Sequence, residues 1–297
     1  EINSGARRRS TDPLGFTSND QNPTISNATP GMSGDYCLII TIDGCESMEV
    51  CTDVTVYPTP PTPVVSNNGP LCEGESIELS VESVPNATYA WTGPNDFSSN
   101  AQNPSIVDAL EGYSGSYCVI ITVDGCESME ACTDVDVLPT PSTPMLTNNG
   151  PLCEGEDLEI LASTIPNADY AWTGPNDFSS TDQNINITGA SVDDSGNYCL
   201  IITIDGCVSE EVCTEVIIKE NPQNPDPSYN GPICEGADLE LLTSSVVDAN
   251  YAWTGPGLFS SNEQNPIIEN ADQSHAGTYC LIVTVDDCES EEVCIPY

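Results

Sequence analysis

Cysteine is the residue type in this chain whose number and spacing could do chemistry. Fifteen cysteines recur with a period of 81 residues, and each complete repeat carries four of them. Thiolates at regular spacing bind metal ions or pair as disulfides. The spacings within a repeat are 46, 8 and 6 residues, with no Cys-x-x-Cys pair of the kind that holds zinc. We therefore predict no metal ligands and a disulfide framework, which forms in oxidising compartments outside the cytoplasm.

The element that positions most of these cysteines is a predicted β-hairpin. It reads DSGNYCLIITIDGCVSEEVC from Asp194 to Cys213 and recurs, little changed, from Gly34, Gly115 and Gly277. Residue character alternates on either side of an Asp-Gly pair, which supplies the positive φ angles of a tight hairpin turn. A repeat of this length predicts an array of like domains.

We expect four modules: a partial module 1 at 1–60, and complete modules 2, 3 and 4 at 61–141, 142–222 and 223–297. Each complete module has roughly seven short alternating segments with turn signals between them and no helical period, which predicts an all-β sandwich. The joints between modules are rich in proline. They are therefore expected to act as semi-rigid spacers.

Strand parity predicts one disulfide inside each hairpin. If Tyr117 points into the core, then Cys118 points outward, and Cys132 in the returning strand does the same. A three-residue loop at 124–126 would set the two cysteines opposite each other. The predicted bonds are Cys37–Cys51, Cys118–Cys132, Cys199–Cys213 and Cys280–Cys294.

Two further motifs resemble the immunoglobulin-type sandwich. Tyr170-Ala171-Trp172 resembles the third strand with its core tryptophan, and Ser195-Gly196-Asn197-Tyr198 resembles the tyrosine corner before the sixth strand. With CEG, YAWTGPNDFSS and QNP, the set resembles Ig-like and PKD-like tandem repeats of secreted and cell-surface proteins of Bacteroidota. The resemblance implies stalks, adhesins or surface polymers. It also implies core positions for Trp91, Tyr117, Trp172, Tyr198, Trp253 and Tyr279.

The resemblance leaves two alternatives for the remaining cysteines. In an immunoglobulin topology Cys72 and Cys126 lie at opposite ends of the sandwich, roughly 25 Å apart, which is too far for one bond. An intermodule pattern would then join Cys72 to Cys207 and Cys153 to Cys288, with Cys45, Cys126 and Cys234 bonding elsewhere, such as to neighbouring chains. The alternative, which is slightly favoured, is an ordinary intramodule Cys72–Cys126 bond.

Net charge excludes several classes of partner. The chain carries a formal charge of −43 with four basic residues, which argues against nucleic acid and anionic membrane surfaces.

No apolar run approaches the roughly 18 residues that span a bilayer, and no signal peptide is visible, as expected of a mature chain or a fragment. Arg7-Arg8-Arg9 fall where other modules carry Tyr-Ala-Trp, and could be a processing site, a basic tail or an artefact of how this end was defined.

Four weaker features each have an ordinary explanation. Acidic clusters at 73–75, 193–194 and 286–287 could bind calcium, but solvated acidic faces are the simpler interpretation. His275, the single histidine, has no recurring nucleophile and is expected in an exposed turn. Sequons begin at Asn27, Asn86 and Asn186. Tyr89, Trp91 and Phe97 could stack sugars, although core packing is the default.

These patterns predict an extracellular or cell-surface structural protein, not an enzyme, which forms a disulfide-stapled rod, stalk or filament. The incomplete module 1 and the short last strand at 294–297 suggest that subunits complement each other by strand addition or docking. The alternative is an adhesin that binds glycan or a protein partner. The loops 93–99 and 174–180 are nearly identical, which favours the structural role because a binder would vary its loops.

Overall fold

The computed structural model describes residues 5–6 and 13–297, so Arg7, Arg8 and Arg9 lie outside the described residues. The described chain is all-β, and its only helical segments are short 3-10 turns. None of the helices in this part of the chain is long and apolar enough to cross a membrane. The chain divides into two compact units, Glu1–Thr140 and Pro141–Tyr297.

Module 1, in the first unit, has a single hairpin as its main feature. Its elements are β1 (Gly5–Ala6), η1 (Pro13–Gly15), η2 (Pro30–Met32), β2 (Gly34–Leu38), β3 (Ile40–Ile42), β4 (Cys45–Glu46) and β5 (Val50–Val54). β2 pairs antiparallel with β5, and β3 pairs with β1 and β4. Among the described residues of module 1, no second sheet faces this hairpin.

Module 2, also in the first unit, is a complete two-sheet sandwich. Its elements are β6 (Val65–Asn67), β7 (Leu71–Cys72), β8 (Ile77–Val81), β9 (Thr88–Gly93), β10 (Phe97–Ser99), β11 (Ser105–Ile106), η3 (Glu111–Tyr113), β12 (Gly115–Val123), β13 (Cys126–Glu127), β14 (Ala131–Val135) and β15 (Val137–Leu138). One sheet has the order β11-β8-β6, and the other has β10-β9-β12, with β13 and β14 paired to β12. The short strands β7 and β15 pair in parallel.

The second unit contains two more sandwiches with the same sheet orders. Module 3 comprises β16 (Leu146–Asn148), β17 (Leu152–Cys153), β18 (Leu158–Ala162), β19 (Asp169–Thr173), η4 (Pro175–Asp177), β20 (Ser179–Ser180), β21 (Ile185–Ile187), η5 (Val192–Asp194), β22 (Gly196–Ile204), β23 (Cys207–Val208), β24 (Val212–Val216) and β25 (Ile218–Lys219). Module 4 comprises β26 (Ser228–Tyr229), β27 (Leu239–Leu242), β28 (Asn250–Gly255), η6 (Pro256–Leu258), β29 (Phe259–Ser261), β30 (Ile267–Ile268), η7 (Gln273–His275), β31 (Thr278–Val285), β32 (Cys288–Glu289) and β33 (Val293–Pro296).

Alternation along the strands builds the core of each complete module. In β8 and β12 of module 2, every second residue is buried, and the side chains of the two sheets meet around Trp91. The six predicted core residues, Trp91, Tyr117, Trp172, Tyr198, Trp253 and Tyr279, are all buried. Each buried apolar side chain contributes about 1.5–3 kcal/mol relative to an exposed one.

A tyrosine corner closes each sandwich. In module 2 the hydroxyl of Tyr117 donates a hydrogen bond to the carbonyl of Tyr113 at 2.9 Å, four residues upstream. Tyr198 and Tyr279 make the same bond in modules 3 and 4. Burial raises the pKa of all three phenols. Together with the two-sheet order and the buried tryptophan, this corner identifies the modules as immunoglobulin-like β-sandwiches.

The predicted three-residue hairpin loop is wrong in detail. The turn has two residues, Asp124 and Gly125, both with positive φ, and Cys126 already pairs with Val123. One extra residue is accommodated later, before β14, and this restores the register of Cys118 with Cys132. The side chain of Ser128 stabilises this irregular step, because its Oγ accepts from Ile121 N at 3.2 Å and donates to Met129 O at 2.8 Å.

Candidate functional site

In modules 2, 3 and 4 the hairpin disulfides lie on the outer face of the sandwich, whereas Cys37 in module 1 is buried. Cys118 and Cys132 are direct cross-strand neighbours, with an S–S distance of 2.10 Å and Cα atoms 4.0 Å apart. The equivalent bonds are Cys37–Cys51, Cys199–Cys213 and Cys280–Cys294. Each bond closes only 14 residues within one hairpin, so it stabilises a module and links nothing beyond it.

A glutamate lies close to each hairpin disulfide. The close groups of potential metal ligands in the described residues are Cys37, Glu49 and Cys51 in module 1 and their three counterparts, which contain Glu130, Glu211 and Glu292. The two sulfurs of each group are bonded to each other, so they present no thiolate to an ion. The single carboxylate that remains is not a chelating set.

A different kind of disulfide joins two modules in the second unit. Cys153 of module 3 and Cys288 of module 4 are bonded with an S–S distance of 2.02 Å, and their Cα atoms are 5.4 Å apart. Cys153 ends β17, which pairs in parallel with β25. Cys288 begins β32, immediately after the hairpin turn of module 4. The tip of one hairpin is therefore bonded to the opposite end of the preceding sandwich.

Polar contacts surround this intermodule disulfide. Lys219 Nζ donates to the carbonyl of Asp286 at 2.9 Å, across the same junction. Asn224, in the proline-rich joint, donates to Glu291 Oε2 at 2.9 Å and accepts from Glu291 N at 3.1 Å. No pattern in the sequence pointed to a role for Lys219 or Asn224. The one available signal was that Lys219 is the single lysine of the chain.

Three cysteines are free thiols: Cys45 and Cys234, which are exposed, and Cys126, which is partly buried. The intramodule Cys72–Cys126 alternative is therefore wrong. Its failure has a geometric cause, since β12 alone runs nine residues, roughly 30 Å, between the two ends of the sandwich. Cys72 and Cys207 are not among the free thiols.

The acidic clusters serve the turns that contain them. Glu75 Oε2 accepts from Cys72 N at 2.7 Å, and Glu73 Oε1 accepts from Glu111 N at 3.1 Å. Asp194 Oδ2 accepts from both the backbone and the hydroxyl of Ser191, which completes a capping box. These contacts give Glu73, Glu75 and Asp194 structural roles in their turns.

The single histidine also has a local structural partner. Nδ1 of His275 accepts from Asp272 N at 3.1 Å at the start of η7. The hydroxyl and amide of Ser274 donate to the Asp272 carboxylate, and these bonds lower its pKa. His275 therefore belongs to a capping box, and its carbonyl receives the hydroxyl of Tyr279 in the tyrosine corner.

The candidate sugar-stacking aromatics pack inward. Trp91 is buried, with its indole Nε1 donating to Gln102 O at 3.2 Å. Phe97 packs edge-on against Tyr117, with ring centroids 5.5 Å apart, and Tyr89 accepts from Val84 N. Core packing occupies these rings. The sequon asparagines Asn27, Asn86 and Asn186 are exposed.

Comparison with known proteins gives likenesses of fold alone. No family model matches the chain. Three N-terminal domains of the bacteriophage RB49 outer capsid protein Hoc align at 15% identity and a TM-score of 0.34, covering 78% of this chain and 96% of that one. The mouse nectin-like molecule 4 ectodomain aligns at 12% identity and a TM-score of 0.36, over 76% and 95% of the two chains. The eight N-terminal Ig domains of Down Syndrome Cell Adhesion Molecule align at 14% identity and a TM-score of 0.42, over 89% and 39%.

At such identities and TM-scores, these likenesses carry no information on function. They also lend no support to the narrower resemblance to Bacteroidota or PKD-like repeats.

Proposed function

We propose that this protein is an extracellular structural repeat protein that assembles head to tail into a disulfide-stapled rod, stalk or filament. The observation that carries the proposal is the Cys153–Cys288 bond, which joins consecutive modules within one compact unit. A covalent bond at a module junction resists both bending and extension. A fibre under tension needs this property, so the bond supports a structural role in preference to an enzymatic one.

The 81-residue period leads us to infer a second intermodule disulfide, one module earlier in the chain. Cys72 and Cys207 are the counterparts of Cys153 and Cys288 one module earlier, and we infer the same bond between them. The four-module division at 60, 141 and 222 follows the same period. Modules 2, 3 and 4 would then form one covalently reinforced series.

The same pattern continues from one copy to the next. Cys234 is the module 4 counterpart of Cys153, and Cys45 is the module 1 counterpart of Cys288. Both are exposed free thiols. A bond between Cys234 of one copy and Cys45 of a second copy would repeat the intermodule geometry between chains. An association that uses two different ends is heterologous, and it generates open fibres.

Electron microscopy of native material in physiological salt tests this role. Because the charge of −43 makes copies repel, salt is needed to screen them. We expect long fibres that shorten on reduction, and only short particles from a Cys45→Ser or Cys234→Ser variant. Cys126→Ser is the matched control and should still form fibres. Full-length fibres from all three variants would contradict the covalent head-to-tail scheme.

An adhesin that binds glycan or a protein partner is the second candidate, and one observation favours it. Leu258 in module 4 is 99% exposed, at a loop position where modules 2 and 3 carry aspartate. A binding protein is expected to vary in its loops, and this loop differs from its counterparts in modules 2 and 3. Loss of surface attachment in Leu258→Asp, with fibres intact, would favour this alternative.

A further inference from the structure

The hairpin disulfides of modules 2, 3 and 4 can be reached from solvent. One cysteine of each bond is exposed, namely Cys132, Cys213 and Cys294. The intermodule bond differs, because its Cys288 is buried. Access of a thiolate to the sulfur is one of the factors that set the rate of thiol–disulfide exchange. The hairpin bonds therefore need some other protection if they are to survive beside free thiols.

A glutamate carboxylate lies beside each of these exposed bonds. In module 2 the carboxylate of Glu130 and the sulfurs of Cys118 and Cys132 lie within 4.8 Å of one another. Glu211 and Glu292 occupy the same place in modules 3 and 4. In the described part of the chain, these three carboxylates have no hydrogen-bond or ion-pair partner. The fold itself therefore makes no use of them.

This glutamate is constant across the repeats, whereas its neighbours in sequence change. It stands two residues before the second hairpin cysteine in every module, as Glu49 does in module 1. The residue before it is methionine in modules 1 and 2 but glutamate in modules 3 and 4. The residue after it is alanine in module 2 and valine in the others. A constant carboxylate without a structural partner indicates a role connected with the disulfide.

A second carboxylate flanks the same cysteine in modules 2 and 3. Asp134 and Glu215 follow Cys132 and Cys213 by two residues, and all four are exposed on the outer face of their strands. Two residues along a strand correspond to about 7 Å, so this second charge is the more distant one. In module 4 the corresponding residue is Pro296, so its disulfide has one flanking carboxylate instead of two.

A negative charge at this place opposes thiol–disulfide exchange. An attacking thiolate forms a bond to one cysteine sulfur while the bond between the two cysteines breaks, and the electron pair leaves on the second sulfur as a thiolate. A carboxylate near both sulfurs repels this charge whichever of them is attacked. For unit charges about 5 Å apart in water, Coulomb's law predicts a rate about fourfold lower.

We propose that Glu130, Glu211 and Glu292 protect the hairpin disulfides from thiolates by electrostatic repulsion. Asp134 and Glu215 add to this protection in modules 2 and 3. The excluded reactant is an anionic thiol, either a small one such as glutathione or a cysteine of another copy. Free thiols in the chain then react with each other without exchanging into the hairpin bonds.

Reduction of the full chain by three thiols of different charge tests this inference. The reagents are 2-mercaptoethanesulfonate, 2-mercaptoethanol and cysteamine, which carry an anionic, a neutral and a cationic group beside the thiol. Rates are compared at equal thiolate concentration, with rapid alkylation and mass spectrometry following each disulfide separately. In Glu130→Gln we expect Cys118–Cys132 to be reduced about fourfold faster by 2-mercaptoethanol. The acceleration should be larger with the sulfonate and small with cysteamine.

Matched controls separate charge from other effects of the substitution. Cys199–Cys213 in the same molecules should keep its parent rate. Glu130→Asp keeps the charge and should keep most of the protection. Glu82→Gln removes an exposed carboxylate that directly follows β8 in the opposite sheet, and it should leave Cys118–Cys132 unchanged. Because salt screens the repulsion, the acceleration in Glu130→Gln should nearly disappear at about 1 M salt.

The parent chain offers an internal comparison. The ratio of the sulfonate rate to the cysteamine rate should be higher for Cys280–Cys294 than for the bonds of modules 2 and 3, because its second flanking carboxylate is replaced by Pro296. This ratio cancels differences in access to the three disulfides.

Equal acceleration by all three thiols in Glu130→Gln would show that the glutamate acts as a steric cover, and unchanged rates would show an ordinary solvated side chain. Either result would overturn the inference. Fibre formation uses Cys45 and Cys234, so failure of this experiment leaves the head-to-tail proposal standing, and the reverse also holds.

Discussion

Cys153 and Cys288 are 135 residues apart in sequence, yet their Cα atoms lie 5.4 Å apart and their sulfurs are bonded. This bond closes a far longer loop than the 14-residue hairpin bonds. It connects one end of the module 3 sandwich to the hairpin tip of module 4, so the two modules are linked covalently at a second point.

Removing the intermodule disulfide should destabilise the second unit. In Cys153→Ser/Cys288→Ser both thiols are absent, so no new exchange partner is created. Loop closure of this length predicts a loss of about 2–5 kcal/mol in the free energy of unfolding. Urea denaturation measures the loss. Cys126→Ser, which removes a free thiol, serves as the control, and equal stability of the two variants would contradict the prediction.

The tyrosine corner predicts a pH-dependent stability. Tyr198→Phe removes the hydrogen bond to the Asp194 carbonyl and should cost about 0.5–1.5 kcal/mol near neutral pH. Burial raises the pKa of Tyr198, so the folded state holds its proton more tightly than the unfolded state. Stability from this group is fully present below the unfolded pKa of about 10 and is lost as pH rises through the folded value.

The difference between the parent chain and Tyr198→Phe should therefore shrink above pH 10. Urea titrations at several pH values measure it, with the exposed Tyr57→Phe as the control. A difference that stays constant with pH, or grows, would show that Tyr198 does not carry this linkage.

The loop of module 4 is predicted to be strained at Leu258. Its φ is 66°, a left-handed conformation that costs a leucine about 1–2 kcal/mol and that asparagine tolerates. Leu258→Asn should therefore raise the stability of module 4. The reverse change in module 3, Asp177→Leu, occupies the same conformation at φ 57° and should lower stability. Thermal melts of the two variants must shift in opposite directions, and shifts of the same sign would refute the strain.

We expect the buried serine of the module 3 hairpin, Ser209, to stabilise the irregular step before β24. Ser209 Oγ accepts from Ile202 N at 3.1 Å and donates to Glu210 O at 2.9 Å. Ser209→Ala leaves a buried amide without its acceptor, which costs about 1–3 kcal/mol. The exposed Ser179→Ala should change stability little, and hydrogen exchange at Ile202 gives a direct readout. Unchanged protection of that amide would show that the serine is dispensable.

The core positions were implied by the resemblance to immunoglobulin-type sandwiches, and alternation then placed Cys118 on the face opposite to Tyr117. Because strand side chains have a period of two, the positions of Tyr117 and Cys118 on opposite faces follow from their adjacency. The register of Cys118 with Cys132 was predicted through a three-residue loop, whereas the structure has a two-residue turn and a later extra residue. The turn is one residue shorter than predicted, and the returning strand contains one extra residue before β14. The two differences cancel, so Cys118 still lies opposite Cys132.

Contacts between modules could not be predicted with the same certainty. Whether Cys126 bonds Cys72 of its own module or a cysteine elsewhere depended on the distance between the two ends of a sandwich. The sequence gives that distance only as an estimate from strand length. The parallel pairing of β7 with β15 involves two residues each and leaves no periodic signal. The contact of Lys219 with Asp286 depends on how two modules dock.

Disulfide mapping of mixed fibres tests the central claim most directly. Copies uniformly labelled with nitrogen-15 would be assembled with unlabelled copies in physiological salt, digested without reduction and analysed by mass spectrometry. The account predicts a Cys234–Cys45 peptide pair in which one partner is labelled and the other is not, together with Cys153–Cys288 pairs that are never mixed. If fibres formed and all their disulfides joined residues of the same copy, covalent head-to-tail assembly would be contradicted.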